Sequence, residues 1–110
     1  MSYFVFNEDS PIIDLPDGKT HRRIMAHNDS LMAVEVIFDK GGVGTPHTHP
    51  HTQATYCLEG EFEFTVGDET KTIKKGDSLI MPSGILHGCR VLSDSGVVLD
   101  IFTPERKDFL

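Results

Sequence analysis

The chain has 110 residues, 38% hydrophobic and 25% charged, a size and balance that fit one globular domain with a single core. Its formal net charge of −7 argues against nucleic acid and against an anionic membrane surface as partners. No apolar run approaches the roughly 20 residues of a membrane-spanning helix. The opening MSYFVFNEDSP lacks the basic-then-apolar order of a signal peptide, so a cytoplasmic protein is expected. Two cysteines, Cys57 and Cys89, make no disulfide framework and read as reduced core thiols.

Ten glycines and six prolines fall between short apolar runs, the pattern of many short strands in a sandwich or barrel. Tyr3 to Phe6 reads as a first strand and Pro11 to Pro16 as an extended connection. His21 to Ala26 and Leu31 to Asp39 read as two strands joined around Asn28, Asp29 and Ser30. The second, LMAVEVIFD, is apolar on both faces except at Glu35, as in a sheet covered on each side. Thr52 to Leu58 and Glu61 to Val66 are expected to form a hairpin turning at Glu59 and Gly60. Phe62, Phe64 and Val66 share one face of its second arm, opposite Glu61, Glu63 and Thr65. Further strands are expected at Thr70 to Ile73, Ser78 to Met81, His87 to Leu92 and Val97 to Phe102, divided by turns at Gly67, Gly76, Pro82 to Gly84 and Ser93 to Gly96. Pro104 to Phe109 is the one candidate helix, with Thr103 as N-cap and Pro104 at its first position.

The chemistry concentrates in Gly41 to Gln53, GGVGTPHTHPHTQ, which holds three of the six histidines. On a strand, His47 and His49 point to one face. Neutral imidazole is a common ligand for divalent metals. Gln53 offers an amide oxygen, and His87, in PSGILHG, is the best distant fourth ligand. Pro50 is expected to turn His51 away from ligation, toward the surface or a supporting role. In VVLDIF, Asp100 shares a face with Val98 and Phe102. A carboxylate in so apolar a strand is hydrogen-bonded, paired or functional, because burying a lone charge is costly. Desolvation there would raise its pKa toward the range useful for proton transfer.

These residues match a known pattern. Gly41, His47-x-His49, Gln53 and Gly60 resemble the first cupin motif, over residues 41–60. Gly76, Pro82-x-Gly84 and His87 resemble the second, over residues 76–91. Gln53 stands where the usual ligand is glutamate, and Val91 where asparagine is expected. The resemblance implies an all-β single domain over residues 1–110, a double-stranded β-helix or jelly-roll barrel of antiparallel strands holding one metal near its open end, with a short C-terminal helical turn. LMAVEVIFDKGGVG, HTHPHTQATY, LEGEFEFTVG and LDIFTPERKDFL are more narrowly similar to the KdgF-type pectin-degradation cupins. In that group a glutamine ligand is usual. The group linearises 4,5-unsaturated monouronates from pectin or alginate into open-chain keto acids. The same resemblance implies that Asp100 and Arg106 serve the reaction.

A neutral donor set of His47, His49, Gln53 and His87 leaves a divalent ion its full charge, which suits Lewis-acid work. It suits oxygen activation less well, since non-haem iron oxygenases usually include a carboxylate ligand. The donors leave nickel, zinc, iron, manganese and copper open. Arg106 would hold the substrate carboxylate through its fork. Tyr56, Met81 and Phe102 are candidate pocket walls, and the run Lys71 to Lys75 is a solvated edge. Leu99 and Ile101 leave the last strand apolar on its outer side, which calls for a second sheet or a homodimer partner. Rival readings are a dioxygenase or sugar isomerase on the same barrel, marked by iron-dependent oxygen consumption in the first case, and a sugar-binding sensor without catalysis.

Overall fold

The computed structural model describes residues 2–110. Ten strands run in chain order: β1 (Ile13–Asp14), β2 (Thr20–Asn28), β3 (Leu31–Asp39), β4 (Val43–His47), β5 (Thr52–Glu59), β6 (Glu61–Val66), β7 (Glu69–Lys74), β8 (Ser78–Met81), β9 (His87–Val91) and β10 (Ser95–Thr103). They make two antiparallel sheets. One has the order β1-β2-β3-β10-β5-β8 and the other β4-β9-β6-β7. The sheets do not join into a closed barrel, which corrects the expectation of closure; each keeps its own edge strands. No helix among the described residues is long and apolar enough to cross a membrane.

Period-two patterning decides which residues meet between the sheets. On the six-stranded sheet, Val98 of β10 pairs with Val36 and Cys57, Asp100 with Val34 and Thr55, and Phe102 with Met32 and Gln53. Phe38, Cys57, Met81 and Val98 of this sheet pack on Phe62, Phe64, Ile73 and Val91 of the other. Phe38 and Phe62 meet edge to face at 5.1 Å between ring centroids. Met32, Val34 and Phe102 form a second cluster, reinforced by Phe109. Burial of these side chains contributes about 1.5–3 kcal/mol each before chain entropy is charged against it.

Three local expectations are corrected. β5 and β6 are no hairpin: β5 pairs with β10 and β8, whereas β6 pairs with β7 and β9. The chain changes sheets at Gly60, whose φ is +83° and where a Cβ would meet the Ser95 carbonyl oxygen at 2.5 Å. Only glycine fits both demands. Tyr3 to Phe6 is no strand; its aromatic rings lie exposed ahead of a 3₁₀ turn at Asn7–Asp9. The C-terminal helix reduces to a 3₁₀ turn at Lys107–Phe109. Its N-cap is Arg106 with no side-chain capping bond, and Thr103 is instead the last residue of β10.

Candidate metal centre and cavity

His47 ends β4, His49 lies just beyond it, Gln53 is the second residue of β5 and His87 opens β9. Only His47 of the first pair is on a strand, so convergence comes from the bend after β4 rather than from strand alternation. Ligand atoms of His47, His49 and His87 lie within 4.8 Å of one another. His49, His87 and Gln53 are buried and His47 is exposed.

Each imidazole is oriented by a backbone carbonyl. Nδ1 of His47 donates to Thr45 O at 2.8 Å, Nδ1 of His49 to His51 O at 3.0 Å, and Nδ1 of His87 to Ile85 O at 3.0 Å. A neutral imidazole has one N–H, so each Nε2 keeps a lone pair. Desolvation, first among the causes, lowers the pKa of both His49 and His87 and holds them neutral. Nε2 of His87 is buried without a hydrogen-bond partner. Nε2 of His49 stands 2.9 Å from Oε1 of Gln53. That amide orientation follows from its other end: Gln53 Nε2 donates to Thr55 Oγ1 at 3.0 Å, and Thr55 Oγ1 donates to Asp100 Oδ1 at 2.7 Å. Two acceptors therefore face each other beside an orphaned third. A divalent cation bound by His47, His49, His87 and Gln53 reconciles all of them, and the donor set fits it.

The site opens on a cavity of about 240 Å³, lined among others by His47, Gln53, His87, Asp100, Phe102, Arg106 and Arg22. This is below the roughly 300–1,000 Å³ of drug-sized pockets and suits a single monosaccharide. Asp100 is half-buried and lines the cavity, and burial raises its pKa to about 6 against the opposing Thr55 hydrogen bond. Burial first, then the Asp100 charge, pushes the Cys89 thiol up to about 12, so Cys89 is a neutral wall. Arg106 stacks 4.2 Å from the Phe109 ring centroid and 5.0 Å from that of Phe102, and its Nε and Nη2 grip Asp108 at 3.0 and 2.8 Å.

Two expected wall residues are elsewhere. Tyr56 pairs with Leu99, on the outer face, and is 45% exposed. Met81 is fully buried in the core, its sulfur 4.0 Å from Thr55 Oγ1. His51 is half-buried; its Nε2 donates to Glu105 O at 3.1 Å, and its carbonyl accepts from His49 Nδ1 at 3.0 Å. Sequence reasoning missed Thr55 and Arg22. The parity of β5 reveals Thr55, two residues from Gln53 on the same inner face; the parity of β2 places Arg22 with Ile24.

A two-sheet β fold with three histidines that could hold a metal ion beside a small cavity is the arrangement of a double-stranded β-helix domain. The cupin domain family matches residues 34–102, and the chain belongs to that family. The pectin degradation protein KdgF of Dickeya dadantii (strain 3937) is 38% identical over 109 residues, covering 98% of this chain and 97% of that one. The structure of KdgF from Halomonas sp. superposes with a TM-score of 0.93 at 38% identity over 100% of both chains. An RmlC-like cupin from Shewanella frigidimarina NCIMB 400 gives 0.94 at 37% identity, covering 100% of this chain and 97% of that one. The likeness to KdgF spans the whole fold, and the chain is a KdgF-type cupin.

Proposed function

We propose that the chain is a metal-dependent enzyme that converts 4,5-unsaturated monouronates, released from pectin or alginate, into linear keto acids. One observation carries this reading: Asp100 faces the same cavity as the imidazole cluster without joining it, leaving a carboxylate free to move protons. The likeness to a pectin degradation protein supports it.

The conversion needs one proton moved and no redox partner. The C1 hydroxyl of the cyclic hemiacetal loses its proton, C1=O forms and the C1–O5 bond breaks. The pair left on O5 becomes an enolate across C5 and C4. Protonation at C4 then leaves the C5 ketone. Asp100 accepts the proton from the C1 hydroxyl and returns it to C4, steadied by the Thr55 hydroxyl. A divalent ion held by His47, His49, Gln53 and His87 supplies Lewis-acid polarisation of a substrate oxygen when bound. Phe102 packs one wall of the cavity and Arg106 brings a cation to it.

The test is an NMR time course on a lyase-generated unsaturated galacturonate with the metal-loaded protein. Loss of the C4 vinyl signal with growth of keto-acid signals is the expected result. An unchanged substrate, or oxygen consumption in its place, would overturn the reading.

We further propose a cytoplasmic homodimer. Cys57 and Cys89 are free thiols, and Ala33, Ile101, Ala54 and Ile80 form an apolar strip across the outer face of the six-stranded sheet. Sedimentation at the monomer mass would overturn the dimer.

A further inference from the structure

We propose that Arg22, rather than Arg106 alone, grips the substrate carboxylate and makes the cavity selective for uronates over neutral sugars. The proposal rests on the reading above and deepens it. Arg22 is on β2 in register with Val36, and its inward neighbours on that strand are Thr20 and Ile24. It lines the same cavity as Asp100 and the metal ligands.

The chain has four arginines, and three hold a carboxylate. Arg23 pairs with Glu35 at 3.1 Å, Arg90 with Glu63 at 3.1 Å and Arg106 with Asp108 at 2.8 Å. Among the described residues, no acceptor is within hydrogen-bonding distance of the Arg22 guanidinium. Its Cζ instead lies over the Phe109 ring, 3.7 Å from the centroid. Stacking occupies one planar face and leaves the in-plane N–H fork for a ligand.

A half-buried cation without a partner is costly. Burial first, and then the Arg106 charge, push the Arg22 guanidinium down from its ordinary value, with Asp108 opposing. An arriving carboxylate offsets that cost. Arg106 is less available for this task, because Asp108 already occupies its Nε–Nη2 edge in the two-pronged way a substrate would use. Phe109 contacts both guanidiniums, and all three residues line the cavity. A uronate gripped by Arg22 is fixed at C6, which leaves its neighbours C5 and C4 to be presented to Asp100.

The test compares wild type with Arg22→Met, which keeps an unbranched apolar side chain and removes the fork, and with Arg22→Lys, which keeps the charge alone. Substrates are unsaturated galacturonate and its neutral methyl ester. Arg22→Met should raise KM for the acid about 10- to 100-fold with kcat nearly unchanged, and remove the preference for acid over ester. Arg22→Lys should recover part of the loss. Matched melting temperatures and metal content would show that the fold survives. Equal KM values for wild type and Arg22→Met, or a fall confined to kcat, would overturn the proposal. NMR titration with D-galacturonate and D-galactose separates this proposal from the reaction itself. If wild type leaves the unsaturated uronate intact yet prefers galacturonate, and Arg22→Met abolishes that preference, the reaction assignment fails and Arg22 keeps its role. If wild type converts the uronate and Arg22→Met retains the preference, the reaction stands and the Arg22 proposal fails.

Discussion

Thr55→Val removes one hydroxyl and almost no volume. The position is 1% exposed, and the hydroxyl joins Gln53 to Asp100 through bonds of 3.0 and 2.7 Å. Valine leaves the Gln53 amide nitrogen buried and unpaired, at about 1–3 kcal/mol. The Asp100 carboxylate loses a bond worth about 1.5–3 kcal/mol, but it faces the cavity, where water replaces most of that. The sum is about 2 kcal/mol, or about 8 °C in melting temperature for a domain of this size. Gln53 also loses the contact that turns its oxygen toward His49, so metal affinity should fall about 10- to 100-fold. Thermal unfolding of metal-free protein measures the first effect, and zinc titration against a chromophoric chelator the second. Thr55→Ser, which restores the hydroxyl, should recover both. A valine variant that melts and binds zinc like wild type would refute the relay from Gln53 to Asp100.

Asp100→Asn keeps an oxygen for Thr55 but cannot take a proton, so decay of the substrate's conjugated C=C absorbance should slow by about 10²–10⁴-fold. Consumption at the wild-type rate would remove Asp100 from the reaction. Gly96→Ala places a Cβ 2.5 Å from Cζ of the fully buried Phe62, and urea unfolding should show a loss of about 1–3 kcal/mol. His21 bridges Asp14 and Asp39 at 2.7 Å each, and their hydrogen bonds, Asp39 first, raise its pKa above the ordinary 6.5. A raised pKa means stability that is complete below pH 6.5 and lost as pH climbs through the folded-state value. The melting-temperature advantage of wild type over His21→Gln should therefore shrink as pH rises above 6.5; an advantage constant with pH would contradict this.

The sequence reveals what is local and periodic. Leu31–Asp39 and Glu61–Val66 are strands with the expected bounds, the first as an apolar β-branched run and the second because its alternation records which face is buried. His47 and His49 are legible as a local pair, and His87, 38 residues after His49 (87 − 49), joins them through the pairing of β4 with β9. Strand partners are not recorded this way. Two alternating arms around Glu59 and Gly60 look alike whether they pair or part, so the change of sheet at Gly60 stays hidden. Aromatic character made Tyr56 a pocket candidate, yet parity counted from inward-facing Gln53 sends it outward. Tyr3 to Phe6 is apolar but has no strand partner among the described residues. Arg22 and Asp100 are 78 residues apart in the chain (100 − 22), and only the pairing of β2 with β3 and β3 with β10 brings them to one cavity.

An anomalous difference map, recorded at the absorption edge of the ion from crystals of metal-loaded protein, bears most directly on the neutral four-ligand centre. One peak is predicted about 2.0–2.1 Å from Nε2 of His47, His49 and His87 and near Oε1 of Gln53, with Asp100 outside the coordination sphere. A peak bound to the Asp100 carboxylate, or one that leaves out His87 or Gln53, would contradict it.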